Sequence, residues 1–258
     1  MPDKWRTFLI ALITCIFIQS IAFAQDTQYQ PLVSGMEHYK NGKYKEALED
    51  FQKAIAVFPD DPDIPFYMGL TYLQINKTDK AVEYFKKTLA KNPEHTDAHF
   101  QLGVILVQKK EYKNAISHLE QVYKKEPRRE DLGYFLGFAY YQTGQYKKAV
   151  TTLKSAKTKD KTIKSLTLYY IGLAQQQLGN NKEASAAYKQ LIITDPTSPL
   201  AEPSQRLIAA IELEEKRKKR FSIDFTTKVQ YDDNIILVPT TNVFSLRDKD
   251  KKSIIELF

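Results

Sequence analysis

Beyond the first two dozen residues the apolar positions recur at a fixed interval. A glycine returns at Gly35, Gly69, Gly103, Gly137 and Gly172, at spacings of 34, 34, 34 and 35 residues. Twelve residues after each stands Ala47, Ala81, Ala115, Ala149 or Ala184, and four further on a large apolar residue: Phe51, Phe85, Leu119, Leu153 or Tyr188. A period of this length marks a stacked repeat whose units cannot bury their apolar faces alone. Two helices per unit are predicted. The glycine of the first and the alanine of the second let two backbones approach closely, while the large residue fills the layer beside them. Proline closes four units at Pro59, Pro93, Pro127 and Pro196, because it cannot continue a helical hydrogen-bond ladder; Lys161 takes its place in the fourth. The turns NGKY, TGQY and LGNN carry glycine where the chain reverses, and Asn76 and Lys110 stand at that point in the other two.

This recurrence of small and large residues resembles the tetratricopeptide repeat, most plainly in GMEHYKNGKYKEALEDFQKAIAVFP from Gly35. The resemblance implies an all-α, right-handed superhelical solenoid of five helix pairs over residues 25–198, with units 28–61, 62–95, 96–129, 130–164 and 165–198. The extra residue of the fourth unit is expected in the loop near Lys161. Residues 199–220, apolar at Leu207, Ile208 and Ile211, read as a capping helix ending in basic residues.

The resemblance also implies a concave wall built by the first helix of each pair. Its fifth positions hold Phe66, Phe100, Tyr134 and Tyr169, and its ninth positions Leu70, Val104, Phe138 and Leu173. The thirteenth hold Gln74, Gln108, Gln142 and Gln177, and the second Asp63, Asp97 and Asp131. Repeats that clamp a terminal carboxylate carry asparagine at the ninth position, so that clamp is absent here. Such a wall suits a protein or peptide ligand, with apolar area supplying affinity and amides satisfying its backbone. An aromatic at the fifth position serves equally to pack one repeat on the next.

After the repeats the pattern changes. From Phe221 to Tyr231, FSIDFTTKVQY alternates apolar and polar residues, the period of a strand with one apolar face. At about 3.3 Å per residue and a tilt of about 45°, such a strand spans roughly the 25 Å apolar band of an outer-membrane barrel. An irregular loop from Asp232 to Lys252 and a return strand from Ser253 to Phe258 are expected to follow. VQYDDNIILVP resembles the barrel opening of bacterial outer-membrane proteins that join periplasmic tetratricopeptide repeats to a C-terminal barrel, such as surface lipoprotein assembly modifiers and polysaccharide export porins. Residues 221–258 are therefore expected to form a short β segment, either a hairpin or the start of a barrel. Two strands cannot close, which favours a piece of a longer protein.

The first residues bear on compartment. Lys4 and Arg6 precede an apolar run from Phe8 to Ile21 that ends in Ala22-Phe23-Ala24, the pattern of a secretory signal peptide over residues 1–24. An exported, periplasmic protein associated with the outer membrane is expected. Cys15, the only cysteine, lies inside that segment, leaving the rest without disulfide or thiolate chemistry.

The net charge of +7 adds a single feature, because Lys216-Arg217-Lys218-Lys219-Arg220 is one local patch and no basic face runs along the repeats. Nucleic acid is not an expected partner. No Gly-rich phosphate loop, G-x-S-x-G elbow or HExxH occurs. His95 and His99 are four apart, but His95 precedes a helix expected to begin near Thr96 and no third ligand is evident, while His38 and His118 stand alone. No metal, cofactor or catalytic residue is predicted. The function expected is a non-enzymatic scaffold, the repeat module of an outer-membrane export or surface-display system. The alternatives are a self-contained assembly factor for pilus, secretion or envelope complexes, and an accessory of polysaccharide secretion whose aromatics stack on sugar rings.

Overall fold

The computed structural model describes residues 29–231, 242–248 and 251–257, with side chains as far as Phe221. The signal-like segment 1–24 and the Asp232-Asp233-Asn234 stretch lie outside the described residues. The chain divides into two compact units, Met1–Leu207 and Ile208–Phe258.

The first unit is a row of helical hairpins: α1 (29–40) with α2 (Tyr44–Val57), α3 (Asp63–Gln74) with α4 (Thr78–Lys91), α5 (Thr96–Gln108) with α6 (Tyr112–Lys125), α7 (Leu132–Gln142) with α8 (Tyr146–Ser155), and α9 (Lys161–Gln177) with α10 (Asn181–Thr194). Each hairpin locks as the sequence period requires. A Cβ on Gly35 would lie 2.6 Å from Phe51 Cε1, one on Gly69 2.6 Å from Phe85 Cε1, and one on Gly137 2.6 Å from Leu153 Cγ. Gly103 meets Leu119 and Gly172 meets Tyr188 in the same way. A Cβ at any of these crossings would force the facing side chain to shift. All five large residues are almost wholly buried, as are the five alanines, and each large side chain contributes on the order of 2 kcal/mol of burial free energy.

Three contiguous core clusters run along the row. First helices such as α7, LGYFLGFAYYQ, are apolar nearly all round because they are covered both by their own partner and by the neighbouring pairs.

Chain reversals depend on left-handed backbone. Gly42, Gly144 and Gly179 have φ of 72°, 76° and 75°, and Asn76 and Lys110 adopt the same conformation, with φ of 58° and 62°, without glycine's freedom. The prolines fall two residues after the ends of α2, α4, α6 and α10.

The fourth hairpin departs from the others. α8 has 10 residues where the other second helices have 14, and α9 extends to 17. Lys161, which stands in place of the unit-closing proline, therefore opens α9. The cause is the cap: Asp160 accepts hydrogen bonds from the backbone N–H of Thr162 (2.7 Å) and Ile163 (3.0 Å), nucleating the helix four residues before the expected start of the unit. The connecting segment packs on Gly133, where a Cβ would come 2.6 Å from Ala156 Cα, and Asp131 N–H donates to Lys157 O at 2.8 Å.

α11 (Ala201–Tyr231) begins where the capping helix was expected, but it continues through the segment read as a strand. Phe221 to Tyr231 is helical. Between Pro203 and Pro239 no glycine or proline interrupts the chain, and Glu214 with Lys218 (2.7 Å) forms an i, i+4 pair. Extending an existing helix fixes one residue per hydrogen bond, whereas a new strand needs a partner. Beyond α11 lies one antiparallel pair, β1 (Asn242–Asp248) with β2 (Lys251–Leu257), in register from Asn242 opposite Leu257 to Asp248 opposite Lys251. β1 occupies a stretch expected as irregular loop. Among the described residues no helix is long and apolar enough to cross a membrane.

Candidate functional site

The first helices present their fifth, ninth and thirteenth positions at i, i+4 and i+8, one stripe along each helix. On α5 these are Phe100, Val104 and Gln108; on α7 Tyr134, Phe138 and Gln142; on α9 Tyr169, Leu173 and Gln177. The six apolar residues are half-buried and the three glutamines exposed. Gln108, Gln142 and Gln177 have no side-chain hydrogen bond among the described residues, so their amides are open to a ligand. Gln74 is exposed and lies at the limit of hydrogen-bond distance from the Tyr44 hydroxyl, 3.5 Å.

The second repeat contributes less than the sequence predicts. Leu70 is half-buried, but Phe66 belongs to the core, with ring centroids 5.7 Å from Phe85 and 4.7 Å from His95. The ring of His95, which caps α5 by accepting from Ala98 N–H at 3.1 Å, lies beside that of Phe66. Phe100 keeps an exposed edge, but Arg129 lies over its ring at 4.4 Å.

From Phe100 to Tyr188 the rings form a continuous chain. Phe100 meets Phe135 (6.3 Å), Phe135 meets Tyr134 (5.2 Å), and Tyr134 stacks on Phe138 (6.0 Å). Phe138 meets Tyr170 (4.7 Å), Tyr170 meets Tyr169 (5.9 Å), and Tyr169 meets Tyr188 (5.9 Å). Tyr141 joins at Tyr170, 5.3 Å away, and Tyr112 at Phe138, 5.8 Å away. Each such contact stabilises by about 1 kcal/mol beyond area burial, so the face is stiff before any ligand arrives. Burial pushes the Tyr134 phenol up to about 12 and raises Tyr170 and Tyr141, keeping these hydroxyls neutral donors at physiological pH. Phe135, Tyr170, Tyr141 and Tyr112 were not among the sequence-predicted residues. The signal for two of them was the aromatic doublets Tyr134-Phe135 and Tyr169-Tyr170.

The aspartates of the second positions divide. Asp63 pairs with His95 (3.1 Å) and Asp97 with Arg129 (2.5 Å), each partner lying 32 residues onward. Residue 163, the next in that series, is Ile163. Asp131 accordingly lacks a cation among the described residues; it opens α7 in left-handed backbone (φ 62°) with a buried Oδ1 that accepts no hydrogen bond from them.

The histidines correct the sequence reading that His38 and His118 stand alone. His38 Nδ1 lies 2.8 Å from Asp50, and His118 Nδ1 lies 2.8 Å from His99 Nδ1. Among the described residues no three His, Cys, Asp or Glu side chains gather to hold a metal ion.

A tetratricopeptide repeat family model matches residues 38–102, and the family model for anaphase-promoting complex, cyclosome, subunit 3 matches residues 108–191. No sequence match is found among curated proteins. Among solved structures, the chain is similar to a MamA crystal structure at 22% identity and TM-score 0.56, covering 66% of this chain and 92% of that one. A MamA point mutant gives 23% and 0.57, covering 66% and 98%, and MamA from Desulfovibrio magneticus RS-1 gives 21% and 0.56, covering 67% and 98%. Likeness at these identities is one of fold. The tetratricopeptide match covers residues 38–102, and the interlock of glycine with a large residue recurs in every hairpin from α1–α2 to α9–α10.

Proposed function

We propose that the chain is a non-catalytic scaffold that holds a segment of another protein against the first-helix face of its third to fifth repeats. The observation that carries this reading is the continuous ring path from Phe100 to Tyr169, edged by the amides of Gln108, Gln142 and Gln177, unpartnered among the described residues. Rigid aromatic surface supplies affinity at low entropic cost, and amide groups satisfy a bound backbone.

The proposed place of action is the cell envelope, supported by the signal-like segment ending at Ala24. In its finer form the scaffold serves outer-membrane export or surface display, a reading supported by the resemblance of VQYDDNIILVP to a barrel opening. The helical course of 221–231 removes the strand with which that barrel was to begin, and favours a self-contained assembly factor for envelope complexes.

Peptide-display selection against the chain tests the binding role. Selected peptides are expected to carry spaced apolar anchors and to lose binding to Phe138→Ala and Leu173→Ala while circular dichroism stays helical. Equal binding by both variants would refute the proposed face, and selective capture of glycans in place of peptides would favour the polysaccharide role.

A further inference from the structure

A cavity of about 480 Å³ lies between α8, α9 and α10. It is separate from the aromatic face. Lys164, Leu168, Ile171 and Gln175 of α9 line it, whereas Tyr169, Leu173 and Gln177 point to the far side of the same helix. Its volume falls within the range of small-molecule sites, on the order of 300 to 1,000 Å³.

Two local features open it. α8 stops at Ser155, short of the other second helices, and Ala187 stands where the third repeat carries His118, which lines the corresponding crevice between α4, α5 and α6. The walls are mainly apolar, with Leu153, Leu168, Ile171 and Ala187 among them.

Polar groups are segregated along the cavity. Lys154, in the last turn of α8, and Lys164, in the first turn of α9, lie at the end next to the α8–α9 connection, and neither has an ion-pair partner among the described residues. The one acid, Glu183, lies in the first turn of α10 at the opposite end, where the helix dipole favours it. Gln175 is at that end too; it is 5% exposed, and its Oε1 accepts from Asn180 Nδ2 at 2.8 Å, leaving its own amide N–H groups without an acceptor among the described residues. One cationic end, an apolar middle and an acidic far end match an elongated apolar molecule bearing a single negative head.

From this charge segregation we infer that the cavity binds an amphiphilic monocarboxylate, its carboxylate between Lys154 and Lys164 and its hydrocarbon chain along Leu168 and Ile171. The site is independent of the protein-binding face, and the two readings fail separately.

Titration of the full chain with decanoate, followed by calorimetry below the micelle concentration, tests it. Saturable one-to-one binding is expected, weakened about tenfold by Lys154→Gln with Lys164→Gln, and weakened to the same degree when decanol replaces decanoate. Ala186 is an exposed wall residue, so Ala186→Trp is expected to keep the fold and block the cavity. Should that variant unfold, the lysine pair decides. Phe138→Ala is expected to bind decanoate normally. Absence of saturable binding, unchanged affinity in the lysine double variant, unchanged affinity in a folded Ala186→Trp, or loss with Phe138→Ala would overturn the assignment.

Discussion

His99 and His118 join α5 to α6 through one hydrogen bond, Nδ1 to Nδ1 at 2.8 Å. His99 Nε2 lies 2.9 Å from Pro93 O and must carry its proton there, because a carbonyl only accepts. His99 Nδ1 is then the acceptor, and His118 Nδ1–H the donor.

Acid sensitivity follows from that geometry. Burial, then the charges of His99 and Lys86, hold His118 below its ordinary pKa. Its stabilising contribution is full above the unfolded value of about 6.5 and is lost as pH falls through that value toward the depressed one. Thermal unfolding between about pH 7 and pH 5 is expected to show a smaller acid-induced fall for His118→Gln than for the unaltered chain. Identical pH profiles would mean that His118 does not titrate as described.

The interlock of Gly69 with Phe85 predicts overpacking. Gly69→Ala places a Cβ 2.6 Å from Phe85 Cε1 in a closed core and is expected to cost about 1 to 3 kcal/mol in chemical denaturation. Adding Phe85→Leu is expected to recover part of that loss, because the two substitutions share one contact and are not additive. Additive losses would show that the close crossing is not the cause.

Lys110 offers the opposite experiment. Its φ of 62° is strained for any side chain with a Cβ, and three of the four equivalent turns use glycine, the fourth using Asn76. Lys110→Gly is expected to stabilise by about 0.5 to 1 kcal/mol, after allowance for the entropy glycine adds to the unfolded chain. A lowered melting temperature would contradict the left-handed turn.

Arg129 binds Asp97 at 2.5 Å and Glu126 at 3.1 Å, and covers the Phe100 ring. Replacement by lysine keeps the charge but loses the planar fork and the stacking, so Arg129→Lys is expected to destabilise by about 1 kcal/mol. Stability equal to the parent would make the ring contact incidental.

The parts of the fold legible in sequence were those fixed by contacts at constant separation. Gly35 with Phe51 and its four counterparts lie 16 residues apart in every repeat, so one spacing announces the crossing. The course of 221–231 was not legible, because Phe-Ser-Ile-Asp-Phe satisfies an alternating period as well as a helix continuing from α11, and only the preceding helix distinguishes them. Phe66 lies in the core because His95 packs beside it, a contact 29 residues onward that no residue type signals. Tyr170 and Tyr141 join the ring path because neighbouring first helices bring their rings together.

Site-specific photocrosslinking in the native cell measures the protein-binding role most directly. A photoreactive residue at Gln142, exposed on the first-helix face, is compared with one at Ser117, exposed on α6 beside the outer crevice. The account predicts discrete protein adducts from position 142 that vanish when Phe138→Ala is added, and none from position 117. Adducts equal at both positions, or unaffected by Phe138→Ala, would contradict it.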